Sequence, residues 1–216
     1  MRLRNIPEAR PMVEASPLCI QDPAVLKGHW SEQSWCDGKP LFIEIGMGKG
    51  RFITEMARRN PDRAFLGIER YESVMYKALI RMGDEPPQNL RFLCADAFNM
   101  RDYFEKNEIA GIYLNFSDPW PKARHDKRRL THHRFLSLYS DLLPEGGLIE
   151  FKTDNEGLFD FSLEEIEASP DFDLIAVTRD LHHDDIMNEG NVMTEYEEKF
   201  SGMGNPIYKL IAKLTR

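Results

Sequence analysis

Short apolar runs alternate with helical patterns along most of this chain of 216 residues. The runs that predict strands are, in chain order, LFIEIG, RAFLGIE, LRFLCAD, GIYLNFS, LIEFKT, FDLIAVTRDL and NPIYKLIAKL. Amphipathic stretches between them, such as RFITEMARRN and EGLFDFSLEEIEAS, predict helices. This alternation indicates βαβ units, so we predict an α/β fold with a mostly parallel seven-stranded sheet and helices on both faces. The last run follows a loop rather than a long crossover helix, which predicts an antiparallel final strand.

The first 40 residues differ from the rest because five prolines interrupt them. We therefore predict an irregular N-terminal arm over residues 1–40 and a single domain over residues 41–216. No apolar run approaches the roughly 20 residues that span a bilayer, and the N-terminus lacks the apolar core of a signal peptide. Cys19, Cys36 and Cys94 are isolated, which favours reduced thiols over disulfides or a zinc site. We expect a cytoplasmic protein that does not associate with a membrane.

Charge is distributed unevenly along the chain, whose formal net charge is -8. Residues Glu150 to Arg216 carry 16 acids and 6 bases, a net charge of -10, so the preceding residues sum to +2. Because basic side chains cluster in that first part, the acidic total does not exclude a polyanionic partner.

A glycine-rich turn, EIGMGKG, joins the first predicted strand to the first predicted helix. Gly46 and Gly48 allow a ligand to approach the backbone, and the following helix offers free N–H groups. The spacing differs from the G-x-G-x-x-G pattern that binds a dinucleotide pyrophosphate. Taken alone, the pattern also suits a tight turn without a ligand.

Acidic residues recur at the ends of successive predicted strands. Glu69 ends the second strand, Asp96 the third, and Asp118 follows the fourth, while Glu44 lies inside the first. Ligands bind at this edge of open α/β sheets, where acids would repel a phosphate but accept hydrogen bonds from ribose hydroxyls. A cationic nucleoside such as S-adenosylmethionine fits this pattern. Each acid alone would more often be a solvated loop carboxylate.

The segment NFSDPWPKARHDKRRL combines an acid, an indole and a cationic run. Pro119 and Pro121 stiffen the loop around Asp118 and Trp120, which suits recognition of a flat base by stacking and hydrogen bonding. A rigid surface turn explains the same letters equally well. The run that follows comprises Lys122, Arg124, His125, Asp126, Lys127, Arg128 and Arg129. Such a run is commonly a solvated helix face, but beside a ligand edge it favours binding to nucleic-acid phosphates.

Together these motifs resemble the bacterial tRNA (guanine-N7-)-methyltransferase family. The resemblance covers nearly the whole chain and rests on MRLRNIP, EIGMGKG, NFSDPWPKARHDKRRL, FKTDN and TEYEEKF. It implies a Rossmann-like class I methyltransferase fold, S-adenosylmethionine as methyl donor without a metal, and tRNA as partner. It also implies methylation of guanosine at position 46 in the variable loop. By resemblance alone we expect a homodimer.

The resemblance also assigns roles to individual residues. It implies that the methyl donor is contacted by Glu44, Gly46, Gly48, Glu69, Asp96 and Asp118, the last of which is also the catalytic residue. It implies that the target guanosine is contacted by Lys122, Asp154, Thr194, Glu195, Tyr196 and Glu197. It implies that the RNA is contacted by Arg124, His125, Asp126, Lys127, Arg128 and Arg129.

Several alternatives stay open at this point. TEYEEK reads equally well as a helix start, with Thr194 as N-cap and Glu197 closing a capping box. A methyltransferase acting on an exocyclic nitrogen of RNA would also carry an acid and proline loop after its fourth strand. A non-catalytic RNA-binding module on the same sheet is a third hypothesis. The adjacent His182 and His183 lack the spacing of a metal site, so we interpret them as loop residues.

Overall fold

The computed structural model describes residues 6–83 and 85–215. Its contacts divide the chain into two units, Met1–Glu105 and Lys106–Arg216. The first five residues of the MRLRNIP motif lie outside the described residues. The division into an arm and one domain from residue 41 stays a prediction.

The first unit is a parallel α/β arrangement. Its strands, in the spatial order β1-β4-β3-β2, are β1 (Cys19–Ile20), β2 (Leu41–Ile45), β3 (Ala64–Glu69) and β4 (Leu90–Cys94). Its helices are α1 (Ala9–Ala15), α2 (Arg51–Arg59), α3 (Glu72–Met82) and α4 (Met100–Tyr103). All six residues of β3 are buried, as expected for a parallel strand covered on both faces.

The N-terminal arm is more regular than its prolines predict. α1 forms although it contains Pro11, because that proline lies in the first helical turn, where backbone N–H groups have no intrahelical partner. Its buried residues Ala9 and Val13 are four positions apart, on the side that packs against α3. Trp30 is fully buried, and its ring stacks on the ring of Phe104 with the two centroids 4.9 Å apart. Its Nε1–H donates a hydrogen bond to the Tyr103 carbonyl at 2.8 Å. The arm is therefore part of the core of this unit.

The second unit contains the only antiparallel pairings found among the described strands. Its strands, in the spatial order β5-β6-β8-β7, are β5 (Gly111–Asn115), β6 (Leu148–Thr153), β7 (Phe172–Thr178) and β8 (Tyr208–Leu214). Its helices are α5 (His133–Leu142), α6 (Glu156–Glu167) and α7 (Glu195–Ser201). β5 and β6 are parallel, whereas β8 is antiparallel to both β6 and β7, which confirms the antiparallel last strand.

The described residues contain eight strands, one more than predicted, because the two-residue β1 falls in the arm. It forms by parallel pairing of Cys19 and Ile20 with Phe92 and Leu93 of β4. Such a short segment carries no periodicity that would predict it from the sequence.

The pairing of β7 with β8 contains an irregularity. Leu174 pairs with Ala212 and Ala176 with Ile211, so Ile175 is an extra residue in β7. Ile175 is 51 % exposed and Val177 is 47 % exposed. β7 is the last strand in the order of its unit, so this bulge lies on an outer strand.

Candidate functional site

The turn between β2 and α2 requires its glycines for conformational reasons. Gly46, Gly48 and Gly50 have φ angles of 76°, 58° and 73°, a region that other residues rarely adopt. A Cβ at Gly46 or Gly48 would meet no atom within 4 Å, so backbone conformation, and not lack of space, excludes other residues. Gly50 is the N-cap of α2 and has no side chain to cap it. The turn therefore presents open backbone next to the start of a helix.

Glu69 connects the end of β3 to this turn. Its side chain is largely buried, with the residue 8 % exposed. Oε2 accepts a hydrogen bond from the Gly48 N–H at 3.2 Å, and Oε1 accepts one from the Tyr71 N–H at 3.1 Å. These two hydrogen bonds orient the Glu69 carboxylate beside the glycine turn.

The other two acids that the sequence assigns to the methyl donor in this unit, Asp96 and Glu44, have different surroundings. Asp96 follows β4 and caps a short 3-10 helix by accepting from the Phe98 N–H at 3.0 Å, while its second oxygen lies 3.4 Å from Nε of Arg70. Glu44 lies in β2 and is 1 % exposed, opposite Gly67 of β3. A carboxylate in such a position is costly unless it is compensated. The structure therefore brings Glu69 and Asp96 to the carboxyl ends of β3 and β4, where the sequence predicts them.

In the second unit, the loop after β5 carries two unusual backbone conformations. Phe116 has φ 51° and Trp120 has φ 41°, although neither is glycine. Each costs on the order of 1–3 kcal/mol, and such residues persist where their surroundings hold them, often at functional sites. Asp118 lies between the two in the same loop.

The basic run forms a short 3-10 helix from Ala123 to Arg128 and packs against this loop. The Arg128 guanidinium lies 4.8 Å from the centroid of the Trp120 ring, and the His125 ring meets the same indole edge-on at 5.8 Å. Arg129 donates from Nε to the Pro119 carbonyl at 3.0 Å and from Nη2 to the Trp120 carbonyl at 3.2 Å. The exposed cations of the run are Lys122, Arg124, Lys127 and Arg128.

Two of the predicted guanosine contacts meet in the second unit. Tyr196 lies close to the carboxylate of Asp154, which follows β6. Burial, followed by the negative charge of Asp154, raises the pKa of Tyr196 above its ordinary value. The Tyr196 ring stacks on Phe200 with centroids 4.1 Å apart and lies 5.1 Å from Phe116. Tyr196 is still 45 % exposed, so part of its side chain is accessible from solvent.

Glu197 is held in a buried polar network. Its side chain is 0 % exposed, and Oε2 accepts from Nζ of Lys152 at 2.7 Å. Lys152 also donates to Oδ1 of Asn191 at 3.0 Å and to the Val192 carbonyl at 2.9 Å. Asn191 Nδ2 in turn donates to Glu197 Oε1 at 2.8 Å. His182 Nε2 lies 3.3 Å from Glu197 Oε1, in a geometry that does not form a hydrogen bond.

The same glutamate closes the capping box of α7. The Glu197 N–H donates to Thr194 Oγ1 at 2.9 Å, and the Thr194 N–H donates to Glu197 Oε2. The helix-start interpretation of TEYEEK is therefore confirmed. The contact of Thr194, Glu195, Tyr196 and Glu197 with guanosine stays a prediction, in which Tyr196 contributes the exposed ring.

One group of metal-ligand types lies close together in residues 6–83 and 85–215: His132, His133 and Glu165. His132 Nδ1 accepts from the Arg134 N–H at 3.2 Å as the N-cap of α5, and His133 Nδ1 lies 3.1 Å from Glu165 Oε2. These contacts at the start of α5 account for the grouping, so we derive no metal site from it. Among the same residues, no helix is long and apolar enough to cross a membrane.

Sequence reasoning missed the residues that support the second unit's site. The sequence could have indicated Lys152, because a cation in the apolar run LIEFKT is as unusual as the anion Glu44 in LFIEIG. No sequence pattern singles out Phe116 or Phe200, since single aromatic residues in a loop and in a short helix are ordinary. The contacts of Arg129 could not be predicted, because the sequence does not distinguish it from the other basic residues of its run.

Comparison with known proteins identifies the family. A family model described as "Putative methyltransferase" matches residues 38–210. A tRNA (guanine-N(7)-)-methyltransferase of Lachnoclostridium phytofermentans is 50% identical over 212 residues, which cover 98% of each chain. One of Geobacillus thermodenitrificans is 51% identical over 210 residues, covering 97% of this chain and 95% of the relative.

Solved structures support the fold. An antibiotic-related methyltransferase superposes with a TM-score of 0.62 at 16% identity, covering 82% of this chain and 88% of that one. The 16S rRNA methyltransferase KamB gives a TM-score of 0.60 at 12% identity, covering 82% and 89%. These likenesses confirm the class I methyltransferase fold. With half of its residues identical to those relatives over nearly its full length, the chain belongs to the tRNA (guanine-N(7)-)-methyltransferase family.

Proposed function

We propose that this protein transfers the methyl group of S-adenosylmethionine to N7 of guanosine in tRNA, at position 46 of the variable loop. The observation that carries the proposal is the 50% identity, over nearly the full length, to relatives named tRNA (guanine-N(7)-)-methyltransferase. The position in the tRNA comes from the resemblance alone. The site geometry adds support, because each unit presents the groups that one of the two substrates requires.

The first unit suits the methyl donor. We assign Gly46 and Gly48 to its methionine end together with Glu44, Glu69 to the ribose hydroxyls, and Asp96 to the adenine amino group. The fit rests on the open glycine turn and on the Glu69 carboxylate, which two backbone N–H groups hold beside that turn. A cluster of carboxylates also favours a ligand that carries positive charge. When bound, S-adenosylmethionine supplies an electrophilic methyl group on a sulfonium centre.

The second unit suits the target base. We assign Asp118 and Asp154 to hydrogen bonds with guanine N–H donors, and Lys122 to a nearby anionic or carbonyl group. Tyr196 offers an exposed ring for stacking, supported from behind by Phe200. We assign Thr194, Glu195 and Glu197 to the same subsite, where the buried pair of Glu197 with Lys152 keeps the segment in place.

The reaction requires little proton chemistry from the protein. N7 of guanine carries a lone pair that can attack without losing a proton, so a strong general base is unnecessary. Catalysis is then mostly alignment of the acceptor nitrogen with the methyl–sulfur bond. Positive charge moves onto the purine as the methyl group is transferred. Asp118, which we assign to the donor as well as to the base, and Asp154 stabilise that charge electrostatically. Methylation also acidifies N1–H, which strengthens its hydrogen bond to a carboxylate.

The basic run suits the RNA backbone. Arg124, Lys127 and Arg128 are exposed, and we assign them to phosphates. His125, Asp126 and Arg129 are half-buried, and only the resemblance assigns them to the RNA-contacting run. Replacing Arg124 and Lys127 by Ala should raise the tRNA concentration at half-saturation. It should also flatten the log–log salt dependence of binding by roughly 0.7 to 0.9 for each phosphate that is no longer neutralised. Filter binding at several salt concentrations measures this slope, and an unchanged slope would mean that the run is only a solvated helix face.

The chemical outcome separates the proposed function from its alternatives. After incubation of tRNA with the protein and S-adenosylmethionine, borohydride reduction and aniline cleave the chain at N7-methylguanosine. A single scission at position 46 supports the proposal. Methyl incorporation without scission would instead indicate an exocyclic nitrogen as target. A protein that binds tRNA but incorporates no methyl group would be an RNA-binding module.

Location and assembly belong to the same proposal. A tRNA substrate and three free cysteines suit the cytoplasm. The homodimer and the absence of a metal stay predictions that come from the resemblance. Light scattering at micromolar concentration tests the first, and activity after treatment with a chelator tests the second.

A further inference from the structure

The loop that carries Asp118 needs an external support. Its two left-handed residues, Phe116 and Trp120, lie on either side of the carboxylate. The adjacent prolines, Pro119 and Pro121, have no N–H with which to form a stabilising hydrogen bond. A backbone of this kind keeps its shape only when contacts from elsewhere fix it.

Arg129 supplies such contacts. Its Nε and Nη2 donate to the consecutive carbonyls of Pro119 and Trp120, at 3.0 and 3.2 Å. The planar guanidinium also lies over the Phe161 ring of α6, with Cζ 4.3 Å from the ring centroid. A rigid fork that binds two acceptors and stacks on a ring is a property of arginine that lysine lacks.

The neighbouring cations lack this geometry. Arg129 is half-buried, whereas Lys127 and Arg128 are exposed. Arg128 touches the same loop through the face of the Trp120 ring. Within one run of basic residues, therefore, Arg129 is directed into the protein and its neighbours face outward.

We propose that Arg129 is a positioning residue: it clamps the loop from Pro119 to Trp120 against α6 and thereby sets the direction of the Asp118 carboxylate. The relevance to catalysis rests on the proposed function of Asp118. Misplacement of a reacting group by about 1 Å reduces rates by about a hundredfold. Loss of the clamp should therefore lower turnover more than it lowers tRNA affinity.

Arg129→Lys tests the proposal because it keeps the charge and removes the fork. We expect kcat to fall by about tenfold to a hundredfold, with the tRNA half-saturation concentration and the salt slope close to those of the wild type. Lys127→Ala is the matched comparison, and it should show the opposite pattern, a higher half-saturation concentration and a flatter slope. An Arg129→Lys variant with wild-type kcat, or an Arg129→Ala variant that differs from the wild type only in salt slope, would overturn the clamp.

Two further measurements keep the proposal testable if a variant is poorly folded. Phe161→Leu leaves Arg129 intact and removes its stacking surface, and we expect a smaller fall in kcat without a change in slope. Millimolar guanidinium should partly restore kcat to Arg129→Ala, whereas no recovery in a variant with wild-type circular dichroism would contradict the proposal.

Trp120 gives a signal that does not depend on activity. Quenching of its fluorescence by iodide should increase in Arg129→Lys, measured in a background where Trp30 and Trp35 are replaced by Phe. If the wild type produces no N7-methylguanosine, the proposed function fails while this loop measurement still tests the clamp. Unchanged quenching together with unchanged kcat would refute the clamp alone.

Discussion

The buried pair of Lys152 and Glu197 allows a quantitative prediction. In Lys152→Met the aliphatic part of the side chain is retained, while the ammonium group and its hydrogen bonds to Glu197, Asn191 and Val192 are removed. The Glu197 carboxylate then remains at 0 % exposure with the weaker support of Asn191 Nδ2 and the Thr194 N–H. Removing one partner of a buried ion pair costs about 3–5 kcal/mol.

This cost is large compared with the roughly 5–15 kcal/mol by which proteins are usually stable. With a urea m-value of about 2 kcal/mol per molar, the unfolding midpoint should fall by about 2 M. Urea titration followed by circular dichroism measures the midpoint. Since Glu197 also closes the capping box of α7, Tyr196 should become more mobile before the whole protein unfolds.

The pair of Arg59 and Glu55 in α2 is the matched control. Its N–O distance is 2.8 Å, against 2.7 Å for Lys152 and Glu197, but its side chains are 49% and 38% exposed. Arg59→Ala should therefore cost only about 0.5 kcal/mol. A double variant, Lys152→Met with Glu197→Leu, should be more stable than the sum of the two single effects implies, because it leaves no unpaired charge. The reasoning is refuted if Lys152→Met behaves like the control or if the two effects simply add.

Three other predictions concern the proposed site and the thiols. Asp118→Asn keeps the shape of the side chain without its charge, so kcat should fall by about a hundredfold or more while filter binding of tRNA changes little. Glu69→Ala removes the acceptor beside Gly48 and should weaken S-adenosylmethionine binding by at least about tenfold in isothermal titration, whereas equal affinity would exclude a ribose contact. Burial raises the pKa of both Cys19 and Cys94 from 9.0 to about 11. Because only the thiolate is alkylated, iodoacetamide should modify them about a hundredfold more slowly at pH 8 than it modifies the unfolded chain, and the rate should rise as the pH approaches about 11.

Local sequence signals were sufficient for most of the fold. The apolar run LFIEIG predicts β2, and the amphipathic stretch after it predicts α2. The two can be told apart because their hydrophobic periodicities differ and a glycine turn separates them. The final run gives β8, whose antiparallel direction follows from the loop that precedes it. The capping box at Thr194 was also readable, since its two partners are three residues apart.

Interactions between distant parts of the chain were not readable in this way. Lys152 and Glu197 are 45 residues apart, and Arg129 and Phe161 lie in different elements, so no local pattern indicates either contact. α1 was missed for a different reason, because a proline in the first turn of a helix was interpreted as a break in structure. The acids at the strand ends were predictable as a set, but the backbone hydrogen bonds that orient Glu69 depend on a turn 21 residues earlier.

The extra residue in β7 has a consequence for how the protein behaves at high concentration. An outer strand with exposed Ile175 and Val177 would be a template on which another chain could add a strand, the first step of aggregation. The bulge at Ile175 breaks the regular spacing of the ladder, so an incoming strand could match only a few residues on either side. Asp173, two residues before it, adds a charge to the same strand. β7 can therefore keep exposed apolar side chains without readily pairing with a strand of another molecule.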